Sequence, residues 1–177
     1  MRKRYLIGVL VGLSVAAAAA AVAVAAFNGN VGTHLKGQYE VPFRNTDAQG
    51  QAMFRISDDG RSVDYKLIAS NIDNAFMAHI HMGASNVAGP IVVWLYPGTT
   101  PVPGPFGSGR HDGVLAEGTF TAANLVGPLA GHPLSDLIDA IASGNAYVNV
   151  HTNDGVDGTN TGPGDFPGGE IRGQLGG

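Results

Sequence analysis

The sequence predicts an all-β domain, an antiparallel β-sandwich or Greek-key barrel of about eight strands with one short helix. Three observations carry this. Apolar residues alternate with polar ones at period two in segment after segment, the pattern of a half-buried strand. Gly and Pro punctuate the chain heavily, 27 and 10 of 177 residues, which demands many turns. A single segment carries a helical apolar stripe.

The elements follow in order. The first strand runs from His34 to Val41 and stops at Pro42. In the second, Ala52, Phe54 and Ile56 alternate with Gln51, Met53 and Arg55, and Asp58-Asp59-Gly60 supplies a hairpin turn. The return strand sets Val63, Tyr65 and Leu67 against Asp64 and Lys66. Further strands are expected at residues 76–82, 91–96, 114–121, 146–151 and 170–175. A short helix spans Ser135 to Ser143, with Ser135 as its cap, Leu137, Ile138 and Ile141 as its apolar stripe and Gly144 as its stop. A further helical turn is expected at residues 122–125. Two long loops, Pro97–Gly113 with four Pro and five Gly and Thr152–Gly169 with six Gly, exceed ordinary connections and suggest that they shape a site.

The N-terminus reads differently. Arg2, Lys3 and Arg4 precede an uncharged stretch from Tyr5 to Phe27, the basic and apolar regions of an export signal or an uncleaved membrane anchor. The expected organisation is a signal or anchor at residues 1–26, a linker at 27–33 and a β-domain at 34–177, held outside the cytoplasm. Without the three N-terminal cations, 7 Lys+Arg face 14 Asp+Glu. Such an acidic domain is a poor partner for nucleic acid, whose binding rests on clustered cations. Membrane contact is expected only through an uncleaved N-terminal segment, while a protein partner or self-association stays open.

With no Cys in the chain, disulfides, thiolate zinc sites and Cys nucleophiles are excluded. No G-x-S-x-G, P-loop or paired-carboxylate motif occurs. Histidines are the remaining chemistry. His79-Ile80-His81 puts two imidazoles on one face of a strand, with Ile80 turned to the core. In Tyr147-Val148-Asn149-Val150-His151, burial of both valines turns Tyr147, Asn149 and His151 to the other face. Three imidazoles converging on the outer face of the sheet suit copper or zinc.

His111, in Gly109-Arg110-His111-Asp112-Gly113, is a candidate fourth ligand swinging in from the Pro/Gly loop. Arg172, on the last strand, is a candidate site cation; the alternative is an ion pair with Glu170. His34 and His132 read as solvated, and Asp154, Asp157 and Asp165 as turn residues rather than a calcium loop. Trp94 and Tyr96 read as core.

Four blocks in order resemble the CHRD (chordin-domain) family: Ala78-His79-Ile80-His81-Met82-Gly83, Gly89-Pro90-Ile91-Val92, Gly144 to Thr152, and Pro167 to Leu175. The resemblance spans Leu35 to Leu175 and implies an extracytoplasmic β-domain. His79, His81 and His151 are also similar, in order and strand placement, to the copper ligands of copper/zinc superoxide dismutase, another Greek-key barrel. That likeness implies a copper centre acting on superoxide. The chain departs from it in lacking cysteines, a second zinc subsite and a bridging histidine. A mononuclear all-histidine copper site is therefore expected, with a non-catalytic cell-surface module or a copper carrier as the alternative.

Overall fold

The computed structural model describes residues 29–156 and 162–176. The expected export segment at 1–26 and Asp157 lie outside the described residues. Among the described residues eight strands form one sheet: β1 Asn30–Lys36, β2 Gln49–Ile56, β3 Ser62–Asp73, β4 Ala75–Met82, β5 Ile91–Tyr96, β6 Arg110–Thr121, β7 Ala146–Thr152 and β8 Ile171–Leu175. Their order across the sheet is β5-β4-β7-β8-β1-β2-β3-β6, and each neighbouring pair is antiparallel. The sheet curls into a nearly closed barrel. The Tyr65 hydroxyl on β3 donates to the Leu95 carbonyl on β5 at 2.7 Å, tying the strand at one end of the order to the strand next to the other end.

Alternation builds the core as expected. Ala52, Phe54 and Ile56 on β2 are buried together with Val63, Tyr65 and Leu67 on β3. The rings of Phe54 and Tyr65 approach Phe120 of β6 at centroid distances of 6.5 and 6.2 Å. Ala78 and Ile80 of β4 and Val148 and Val150 of β7 are fully enclosed in the same core. Between β2 and β3 the turn closes through Ser57, whose hydroxyl accepts from the Arg61 and Ser62 amides at 3.1 and 3.0 Å.

Three boundaries differ from expectation. β1 begins at Asn30, inside the expected linker, and ends at Lys36. Gly37–Tyr39 then turns as a 3-10 helix, so the apolar Tyr39 and Val41 are turn residues left exposed rather than strand residues. β6 starts at Arg110 instead of Val114 because β3 continues to Asp73 and pairs with it, His111 opposite Ile72. The segment expected as the end of a loop is therefore strand.

Helix α1, Leu134–Ala142, buries Leu134, Leu137, Ile138, Ala140 and Ile141 and rests against β7. Pro133 occupies its N-cap, so Ser135 makes no capping bond. Ser143 closes the other end, its hydroxyl donating to the Asp139 carbonyl at 2.9 Å, and Gly144 leaves the helix at φ 67°. The turn expected after Thr121 is a 3-10 helix, Ala122–Asn124, with a capping box between Thr121 and Asn124.

Candidate metal centre

β4, β7 and β8 lie side by side, and their register places the site. Across β4 and β7, His79 faces Asn149, His81 faces Tyr147 and Met77 faces His151. Asn149 in turn faces Arg172 of β8. Since Ala78, Ile80, Val148 and Val150 point into the core, these polar side chains share the opposite face. That face is not solvated. His79, His81 and His151 are 0%, 7% and 6% exposed, because the chain at 83–90 and the end of the second long loop fold over them.

The three rings converge. One ligand nitrogen from each of His79, His81 and His151 lies within 4.8 Å of the others, and the site can hold a metal ion. Nδ1 of His79 is 3.1 Å from Nε2 of His151. Two imidazoles bound tetrahedrally to one ion at about 2.0–2.1 Å have nitrogens about 3.3 Å apart.

Backbone carbonyls fix which nitrogens are free. Nδ1 of His81 donates to the Gly89 carbonyl at 2.8 Å, and Nδ1 of His151 donates to the Pro167 carbonyl at 2.8 Å. In each ring Nε2 then carries the lone pair, as carbonyl-anchored metal ligands require. Among the described residues the buried Nε2 of His81 has no hydrogen-bond partner. Leaving such an atom unsatisfied is costly, and an ion relieves it.

The rings are also kept neutral. Burial, reinforced by the neighbouring rings of His151 and His81, lowers the pKa of His79 to about 2. Burial lowers that of His151 to about 4 against the opposing bond to Pro167. His81 is shifted downward by burial, with the Arg172 charge adding to the effect. A triad of neutral imidazoles binds a cation without first having to lose protons.

A second layer surrounds the triad. The Trp94 ring of β5 stands edge-on to His79, centroids 4.2 Å apart, so this residue belongs to the histidine face rather than the core. Tyr147 stacks on His81, 4.9 Å between centroids and 9° between planes. On the other side of Tyr147 lies Arg172, its Cζ 3.3 Å from the ring centroid. Arg172 is 1% exposed and donates from Nη1 to the Val87 carbonyl at 3.0 Å and from Nη2 to the Ala84 carbonyl at 2.8 Å. It makes no pair with Glu170. That carboxylate instead accepts from the Thr46 and Thr152 hydroxyls at 2.5 and 2.6 Å and from the Gly164 amide at 2.9 Å.

His111 is not brought to the triad. It lies within β6, held by pairing to Ile72, and so cannot swing in from a loop. His132 bonds Asp136 at 2.8 Å on the surface, as a solvated histidine would, and His34 lies on β1 away from the triad.

The residue that sequence reasoning missed is Glu40. It is 7% exposed, and burial raises its pKa to about 7 against the lowering effect of Arg172. Nothing in a strand or helix pattern marks it, since it caps the 3-10 turn after β1. Gly169, at φ 115°, makes room for it: a Cβ there would come 2.5 Å from Glu40 Oε1 and 2.7 Å from Asn149 Nδ2.

The family model of the CHRD domain matches residues 31–159, most of the chain and both strands that carry the triad. No curated protein and no solved structure matches the chain significantly.

Proposed function

The chain belongs to the CHRD-domain family, and from that premise we propose that it is a copper-binding module acting outside the cytoplasm, with His79, His81 and His151 as the ligands. The convergence of three neutral imidazoles within 4.8 Å on one buried face carries the reading. Copper outranks zinc on intrinsic affinity for nitrogen donors. The export-like start, Arg2-Lys3-Arg4 followed by an uncharged stretch to Phe27, supports the location. When bound, copper supplies one-electron chemistry. The chain's own part is to hold three nitrogens together, those of His81 and His151 in tautomers fixed by backbone carbonyls, and to exclude bulk water and bulky ligands from the centre.

Metal analysis of protein produced with copper and zinc both available tests this. The expected result is one copper per chain, lost on His81→Ala. A metal-free protein, or metal content indifferent to that substitution, counts against it.

A second reading, favoured by the Arg172 charge one ring away from His81, is superoxide disproportionation, which converts two superoxide anions and two protons to dioxygen and hydrogen peroxide. In this acidic protein Arg172 would supply the local positive potential that draws the anion. Copper-dependent superoxide removal, weakened and less sensitive to ionic strength in Arg172→Met, supports it. Copper-loaded protein with no activity above buffer leaves a binding module or copper carrier.

A further inference from the structure

The arrangement around Arg172 points to a role more specific than that of a nearby charge. The chain between β4 and β5 must cross over His81 and Tyr147, and it comes very close to the strand it has just left. A Cβ on Gly89 would lie 1.5 Å from the Met82 carbonyl oxygen, so only glycine fits there. This crossing is held down from β8. Arg172 grips the Ala84 and Val87 carbonyls, and the Gln174 amide donates to the Gly83 carbonyl at 2.9 Å. At its far end the Gly89 amide donates to the Tyr147 hydroxyl at 3.0 Å. The Gly89 carbonyl is left aimed at Nδ1 of His81.

We propose that Arg172 is a positioning residue: by clamping the 83–90 crossing from β8, it holds the Gly89 carbonyl against His81 and so selects the ring tautomer whose Nε2 faces the metal centre. The proposal rests on the metal-binding reading for its purpose, but the tautomer is a property of the metal-free protein. Arg suits the task where Lys does not. Its planar fork reaches two carbonyls at once with its Cζ over the Tyr147 ring, which itself stacks on His81, so the guanidinium fixes both the ring's neighbour and the ring's hydrogen-bond acceptor. His151 provides an internal control, because its Nδ1 is anchored to Pro167, on the loop that precedes β8, rather than to the 83–90 crossing.

The test is long-range nitrogen–proton NMR of the metal-free full chain, which reads the protonated nitrogen of each imidazole. In the wild type, His81 and His151 are both protonated at Nδ1. In Arg172→Met, which keeps the stem and loses the fork, His81 becomes a mixture of tautomers while His151 is unchanged. The copper dissociation constant rises by about 10- to 100-fold, the usual cost of losing an outer-layer partner. Arg172→Lys restores neither fully.

Should Arg172→Met fail to fold, Arg172→Lys decides, since it keeps a cation on a long stem and loses the fork that reaches both carbonyls; the same selective change at His81 is expected. An unchanged His81 tautomer in the folded variants overturns the proposal, as does an equal change at His81 and His151, which signals general loosening. A wild type with the stated tautomers that binds no copper upholds the clamp and contradicts the metal reading instead.

Discussion

Nδ1 of His79 lies 3.1 Å from Nε2 of His151 across 72 positions of chain. The two residues are not directly opposite; His79 faces Asn149 and His151 faces Met77. Diagonal neighbours on adjacent antiparallel strands lie within reach of long and aromatic side chains, and both rings are confined by Trp94, Phe76 and the Pro167 carbonyl. The contact is therefore built by the sheet and its covering loops rather than by local sequence.

Acid should unfold the metal-free protein early. The triad's pKa values are depressed by burial from 6.5, to about 2 for His79 and about 4 for His151. Unfolded imidazoles take up protons that folded ones refuse, so unfolding is coupled to proton uptake below pH 6.5. Stability from this source is complete above pH 6.5 and falls as the pH drops toward 4. Thermal melts of metal-free protein across this range should show a Tm decline that becomes much shallower when His79 and His151 are both replaced by Phe. A slope independent of these residues contradicts the burial assigned to them.

Glu40 has the opposite sign. Its pKa rises from 4.5 to about 7 on folding, so its contribution is complete below pH 4.5 and is lost as the pH rises through 7. Glu40→Gln is expected to melt higher than wild type at pH 8, with the difference gone by pH 5. Equal melting at pH 8 would show that Arg172 and Asn149 already compensate the buried charge.

Much of the fold was legible because period-two alternation reports a barrel whose inner face is apolar. Ala78, Ile80, Val148 and Val150 are buried as the pattern predicts, and the histidines fall on the other face. What alternation does not report is whether that other face is covered. It is here, by chain whose anchors are backbone carbonyls at Ala84, Val87, Gly89 and Pro167, and carbonyls leave no signature in side-chain sequence. Glu40 and His111 escaped correct reading for a related reason. A turn residue's burial and a strand's starting point both depend on what the rest of the chain packs against them.

Two adjacent residues should separate stability from binding. Ile80 is fully enclosed in the core, so Ile80→Ala is expected to destabilise by about 2–5 kcal/mol while leaving metal stoichiometry intact. His81→Ala should remove stoichiometric binding at a smaller cost to the metal-free protein. Urea denaturation with metal titration on each variant checks both, and loss of binding in Ile80→Ala at low denaturant would show that the two faces are not independent.

Glu170 is a buried acceptor for Thr46, Thr152 and Gly164 and is 0% exposed. Glu170→Ala leaves three donors without an acceptor and is expected to cost about 3 kcal/mol or more. Because Pro167 lies on the loop Glu170 secures, the NMR signal of His151 should shift in this variant while that of His81 holds. Coupled shifts at both rings would mean the two covering loops move as one.

The most direct measurement is electron paramagnetic resonance of the protein titrated with Cu(II). The account predicts a single species saturating at one copper per chain, with nitrogen splitting from three imidazoles, and with one nitrogen fewer or no defined species in His81→Ala and His151→Ala. Sub-stoichiometric, heterogeneous copper whose spectrum is indifferent to both substitutions would contradict it.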